Sequence, residues 1–210
     1  MRSVTTGDWL VTDDPFANPA GTREEILAAT YRALRTHGYA DLTISAIGDE
    51  FEKSPSLVYR HYDGKDELVL DCLSFMLERF EARMTDDDIS DPRRRLEAFV
   101  EWGLDEEMPP ARRRMVSTLI ELRSRAIHDG EYADHFTKSD EVFEAHVADI
   151  VRSGIDQGVF RECDPDRVAA TLVTMLTGVL FRWSTHDTEA WLEDVRIEIE
   201  TYLEATLYRD

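Results

Sequence analysis

From residue 22 onward the apolar side chains recur three and four positions apart, and no window alternates apolar with polar residues well enough to make a strand. That pattern leaves an all-α fold, which short breaks cut into about nine helices. Thr22 and Glu25 carry the spacing of a capping box ahead of Ile26, Leu27, Ala29, Ala33 and Leu34, and Gly38 stops that helix. Thr43 opens a second, barely two turns long, with Ile44, Ile47 and Phe51 inward. Ser54 as N-cap and Pro55 at the first helical position start a third, ending near Tyr62. A long fourth begins near Gly64 and Lys65, with Val69, Leu73, Met76 and Phe80 on one stripe. Asp91-Pro92, Pro109-Pro110 and Asp164-Pro165 open three more. Another spans roughly Asp134 to Gln157 before Gly158, and the last runs from near Thr188 to Leu207. The helix after Pro165 is apolar nearly all round from Val168 to Trp183, so it needs cover on more than one side. Residues 1–21, punctuated by Asp13-Asp14-Pro15 and Asn18-Pro19, are expected to form an irregular arm.

Charge narrows the partners. The chain holds 44 Asp and Glu against 24 Lys and Arg, a formal net charge of −20, and its lysines are Lys53, Lys65 and Lys138 alone. Such a surface repels phosphate in dilute salt. It suits concentrated salt, where the Debye length falls to about 3 Å at 1 M and self-repulsion is screened. A halophilic cytoplasm is the expectation. Residues 22–66 hold six basic against eight acidic residues, and residues 67–210 hold 17 against 33, so an anion-binding surface is expected in the first part. Residues 1–20 have no apolar core of a secretory signal. Val168–Trp183 falls short of a membrane span and carries Arg182. The chain is therefore expected to be soluble and cytoplasmic, with no membrane partner. Cys72 and Cys163, far apart and without a CxxC, read as a buried small hydrophobe and a loop thiol.

Two short helices, a break of about three residues, then a helix opening with small polar residues make a helix-turn-helix. Ser54, Pro55 and Ser56 are small enough to let the backbone approach a major groove, and Tyr59, Arg60 and His61 supply donors for phosphates and base edges. Lys65 opens the fourth helix, where free N–H groups and the dipole suit a phosphate. The segments Thr43-Ile44-Ser45-Ala46-Ile47, Ser54-Pro55-Ser56-Leu57-Val58-Tyr59-Arg60-His61-Tyr62 and Gly64-Lys65-Asp66-Glu67-Leu68 resemble the DNA-binding region of the tetracycline-repressor (TetR/AcrR) family. Gly154-Ile155-Asp156-Gln157-Gly158-Val159-Phe160 is similar to the end of that family's seventh helix.

The resemblance implies an N-terminal three-helix helix-turn-helix domain over residues 22–66 and a helical effector-binding and dimerisation domain over residues 67–210. It implies that Thr43, Tyr59, His61 and Lys65 hold phosphates, while Pro55, Ser56, Tyr59 and Arg60 face bases. Arg60 is the side chain best able to grip a guanine with two hydrogen bonds. Lys53 and Ser54 complete the candidate set. One departure is visible: the family's Gly-Val turn before the recognition helix is Glu52-Lys53 here. A left-handed Glu52 would cost about 1 kcal/mol relative to Gly and would put a carboxylate near DNA.

The implied function is sequence-specific regulation of transcription, with repression as the mode and a palindromic double-stranded operator released when a small-molecule effector binds. Phe99, Trp102, Met115, Leu119, Phe143, Val147 and Met175 are the expected pocket lining. Helices over residues 165–184 and 188–207 are expected to pair with their copies in a homodimer through Leu172, Leu176, Val179, Trp183, Leu192, Val195, Ile199 and Leu203. GxSxG, HExxH and Gly-rich phosphate loops are absent, which speaks against an enzyme. Histidines never fall four apart, and Asp86-Asp87-Asp88 lacks the Gly and Glu of a calcium loop, so no metal or cofactor is expected. The triplets Arg93-Arg94-Arg95 and Arg112-Arg113-Arg114 spread over too wide an arc for one anion patch and should form ion pairs instead. Arg182 should pair with a carboxylate at the dimer interface, with an anchored anionic ligand as the alternative. A dimeric helical adaptor or ligand carrier without specific DNA binding remains the alternative.

Overall fold

Proline and aspartate set the starts of four helices in the computed structural model, which describes residues 16, 18–51, 55–85, 90–105, 108–186, 188 and 190–209. Nine α-helices occur among the described residues: α1 (Thr22–His37), α2 (Ile44–Asp49), α3 (Val58–His61), α4 (Lys65–Thr85), α5 (Pro92–Gly103), α6 (Pro110–Arg125), α7 (Gly130–Asp156), α8 (Pro165–Thr185) and α9 (Leu192–Thr206). Asp91 and Asp164 cap α5 and α8 by accepting backbone N–H groups of Arg93, Arg94 and Arg167, with a proline next in each case. Gly38 and Gly158, both at φ 72°, end α1 and follow α7 in the left-handed region that favours glycine.

The starts of α1, α7 and α9 differ from expectation. Gly21, not Thr22, caps α1, and Glu24, not Glu25, reaches back, its Oε2 accepting the Ala20 N–H at 2.9 Å. The carbonyl of Gly21 already takes the Glu25 N–H, so the helix begins one residue early. Helix α7 starts four residues before Asp134 because Asp129 accepts the N–H groups of Glu131 and Tyr132. Helix α9 begins at Leu192, after a turn in which the Trp191 indole donates to the Thr188 carbonyl at 2.9 Å. The arm over residues 1–15 and the Glu52-Lys53 turn lie outside the described residues.

The described chain divides into two compact units. One comprises residues within Thr12–Thr85 and Pro109–Thr137, the other residues within Asp86–Met108 and Lys138–Asp210. The reason is packing. Met115 and Leu122 of α6 and Tyr132 and Phe136 of α7 share one core with Ile26, Leu27 and Leu34 of α1 and Val69 and Leu73 of α4. Truncating a side chain such as Leu122 to alanine would cost about 2–5 kcal/mol. Cys72 is buried there with its thiol against the Leu27 carbonyl, and burial pushes that thiol far up from its ordinary value.

In the other unit, Gly103 of α5 lies where any Cβ would press on Leu176 of α8, and a Cβ on Gly154 would overlap the Phe160 ring. A single bridge pairs Phe160 with Tyr208, and the Arg161 N–H donates to the Leu207 carbonyl at 2.8 Å. At 21 residues α8 has the length and apolarity of a membrane span, contrary to expectation. It is nonetheless a core helix, since Val168, Ala169, Leu172, Val173, Leu176, Val179 and Trp183 are buried in its own unit. Arg93 meets Glu97 at 2.8 Å and Arg94 approaches Asp91. Arg182 rests over the Trp191 ring at 4.4 Å.

Candidate DNA interface

Helix α2 is short, with Ile47 and Gly48 buried and Ile44 packed against the core, and its start is firmly made. The Thr43 hydroxyl accepts the Ala46 N–H at 3.0 Å, and Thr43 itself is exposed. Arg32 of α1 ties down its far end, donating to the Glu50 carbonyl at 2.8 Å with its carboxylate 3.5 Å away. Phe51 is buried, and the chain resumes as a single 3-10 turn over residues 55–57 that runs into α3. The expected continuous third helix is thus one tight turn plus four α-helical residues.

Val58 and Tyr62 anchor this segment inward. The Tyr62 hydroxyl donates to Asp71 of α4 at 2.6 Å, and Arg23 of α1 donates to the same carboxylate. Burial and then the Asp71 carboxylate push the Tyr62 hydroxyl well up from its ordinary value, keeping it a neutral donor. With those residues fixed, Ser56, Tyr59, Arg60 and His61 face out, Tyr59 with 66% of its surface exposed. Such a display suits a duplex, since aromatic hydroxyls, guanidinium and imidazole groups are donors for phosphates and base edges. Lys53 and Ser54 lie outside the described residues, and of Pro55 only the backbone is described.

Lys65 is more engaged than a free phosphate ligand. Its ammonium donates to the Tyr39 carbonyl at 3.3 Å and sits 4.1 Å from the centre of the Tyr39 ring. Beside it, the Glu67 carboxylate accepts the Asp63 N–H at 2.7 Å, so a protein carboxylate already occupies part of the α4 N-terminus.

The other expected sites are distributed differently. Phe99, Trp102 and Phe143 form a ring cluster with centroids 6.1–6.3 Å apart, and its fourth member, His146, 5.9 Å from Phe99, belongs to no motif that would have marked it. Val147 is buried and Met175 exposed in the same unit. Met115 and Leu119 belong to the core of the other unit. Of the residues expected to meet a second copy, Leu172, Leu176, Val179, Trp183, Leu192, Ile199 and Leu203 are buried within one chain, and Val195 is half-buried. They serve the protomer's own core. The large apolar side chains left exposed on these helices are Met175, Phe181 and Ile197, with Gly178 exposed between the first two.

Residues 26–72 match the family described as "Bacterial regulatory proteins, tetR family", and residues 92–208 match "BetI-type transcriptional repressor, C-terminal". The chain is 27% identical over 203 residues to the HTH-type transcriptional repressor AcnR of Corynebacterium glutamicum, covering 92% of this chain and 93% of that one. A TetR transcription regulator from Haloarcula marismortui superposes with a TM-score of 0.76 at 37% identity, covering 88% of this chain and 97% of that one. A regulator from Saccharomonospora viridis, solved in complex with choline, shares the fold at a TM-score of 0.74 and 22% identity, covering 90% and 98% of the two chains.

Proposed function

The chain belongs to the TetR family, whose members regulate transcription by binding DNA, and we propose that it works as a homodimeric repressor released from a palindromic operator by a small molecule. The family is one of regulators, not enzymes. The observation that carries the proposal is the outward display of Tyr59, Arg60 and His61 on a segment locked from behind by Val58 and Tyr62. In this reading Thr43, Tyr59, His61 and Lys65 hold phosphates, and Ser56, Tyr59 and Arg60 read bases, with Lys53, Ser54 and Pro55 beside them. Two such segments in a two-fold dimer would enter successive major grooves about 34–36 Å apart.

The dimer would form through the exposed stripe of Thr174, Met175, Gly178 and Phe181 on α8 with Ile197 on α9. Those α8 positions fall three and four apart, and a glycine among them lets a second backbone come close. The effector would bind in the C-terminal unit and favour a conformation with the wrong groove spacing, lowering operator affinity by its differential affinity for the two states. The rings of Phe99, Trp102, Phe143 and His146 favour an organic cation, because aromatic faces attract quaternary ammonium groups. The choline complex of the Saccharomonospora viridis regulator points the same way. The net charge of −20 favours a cytoplasm rich in salt.

A footprint on DNA upstream of the protein's own gene, in concentrated potassium chloride, tests the reading. The expected result is a protected palindrome, lost in the variants Tyr59→Ala and Arg60→Ala and released by choline but not by its neutral isostere 3,3-dimethylbutanol. Protection that survives both substitutions would remove α3 from the interface. Release by both compounds alike would remove the cation.

A further inference from the structure

One cluster of polar and aromatic groups connects the end of α6 with the residue that opens α4. Tyr39, in the link between α1 and α2, is buried, and its hydroxyl donates to the Asp66 carboxylate. The other oxygen of Asp66 accepts from Arg125, the last residue of α6, at 3.2 Å. Arg125 also donates to the Tyr39 hydroxyl, and its guanidinium lies 4.9 Å from the centres of both the Tyr39 and Tyr132 rings. The buried Tyr132 of α7 donates to Asp66 at 3.3 Å, and Asp129 stands 3.9 Å from Arg125. Tyr39 is thereby held through its hydroxyl from three elements. Its other end seats the Lys65 ammonium, with the carbonyl accepting one N–H at 3.3 Å and the ring face 4.1 Å away.

A lysine on a flexible four-carbon stem ordinarily loses rotamer freedom when it grips a phosphate. Here that freedom is restricted before DNA arrives. An ammonium has three N–H donors; the Tyr39 carbonyl takes one, which leaves others to point at a phosphate. We infer that Tyr39 is a positioning residue for the phosphate contact of Lys65, and that Arg125 sets it from the end of α6. The inference rests on the proposed role of Lys65 at DNA, and it adds residues that themselves touch no DNA. It also explains the otherwise costly gathering of two cations around one phenol ring: Asp66 and Asp129 balance Arg125, and the ring is fixed for Lys65.

The test measures operator affinity of the full-length protein against potassium chloride concentration for the wild type, Lys65→Met, Tyr39→Phe and Arg125→Gln, and for each of the last two combined with Lys65→Met. Losing one phosphate contact lowers the slope of log affinity against log salt by about 0.9, so the deficit of Lys65→Met should shrink roughly eightfold over a tenfold rise in salt. Tyr39→Phe keeps the ring, the carbonyl and the charge and removes only the link to Asp66 and Arg125. It should show part of the same slope change and cost nothing further in the Lys65→Met background, and Arg125→Gln should do likewise. Melting temperatures report any general loosening, which would not change the salt slope in Tyr39→Phe. If Lys65→Met changes the slope but Tyr39→Phe and Arg125→Gln leave it alone, or lower affinity equally in both backgrounds, the positioning role is overturned and the Lys65 contact stands. If Lys65→Met itself leaves the slope unchanged, the phosphate contact fails and the positioning role with it.

Discussion

The segment around α3 and the outer face of α8 and α9 are both read as surfaces for another macromolecule, yet they are built on opposite terms. Around α3 the exposed groups are polar donors on barely more than one helical turn, and stability is supplied from behind by Val58, Tyr62 and the Asp71 carboxylate. On α8 the exposed surface includes the apolar Met175 and Phe181, the latter 56% exposed, on a 21-residue helix whose inner side already forms a core. A short element can present a charged, hydrated partner with specific donors because its own fold asks little of those side chains. A long apolar helix contributes to two interfaces at once, and only the residues its own chain leaves uncovered are available to the second.

Substitutions separate the two faces. The largest effect is expected from Phe181→Asp, which places a charge on the apolar stripe. Light scattering should show a monomer, and operator affinity should fall on the order of 1,000-fold because the two half-sites are no longer bound together. A dimer of unchanged strength would move the interface elsewhere. Leu176→Ala, on the buried side of the same helix, should instead cost about 3 kcal/mol of stability by denaturant titration, within the usual 2–5 kcal/mol for such a truncation, and leave the folded protein dimeric.

At the other surface, Tyr59→Ala and Arg60→Ala should each weaken the specific complex by about 1–3 kcal/mol in titrations with operator and scrambled DNA, with the melting temperature unchanged. Thr43→Asp sharpens the contrast further. Aspartate caps as well as threonine, so stability should hold while its charge repels phosphate and affinity falls. The smallest effect is pH-dependent. Burial first, then the Asp66 hydrogen bond and charge, raise the Tyr39 hydroxyl to about 12, against about 10 in an unfolded chain. A raised value stabilises the neutral form, so this contribution is complete below pH 10 and lost as pH rises through 12. Tyr39→Phe should flatten that part of the decline in a melting-temperature series.

Much of the fold was written in local signals. Asp91-Pro92 and Asp164-Pro165 marked helix starts that the structure keeps, and Thr43 caps where its position before Ile44 and Ile47 placed it. The polar residues of the helix-turn-helix could be named because their types are poor candidates for a core. What stayed hidden depends on residues distant in sequence. Tyr39, Asp66 and the pair Arg125 and Tyr132 are separated along the chain and meet because α4 and α6 both pack on α1. That same packing places α6 in one compact unit with α1 and α4. The outer stripe of α8 was illegible for another reason. A helix apolar nearly all round has no pattern to tell its inner from its outer side, so Leu172, Leu176 and Val179 looked as available as Met175 and Phe181.

Selection from a random pool of double-stranded DNA with the purified protein, in molar potassium chloride, tests the central claim most directly. The expected result is enrichment of an inverted repeat whose half-site centres lie about one helical turn apart, with no enrichment by the doubly substituted protein carrying Tyr59→Ala and Arg60→Ala. A pool that stays random with the wild-type protein, or a repeat still selected by the double variant, would contradict it.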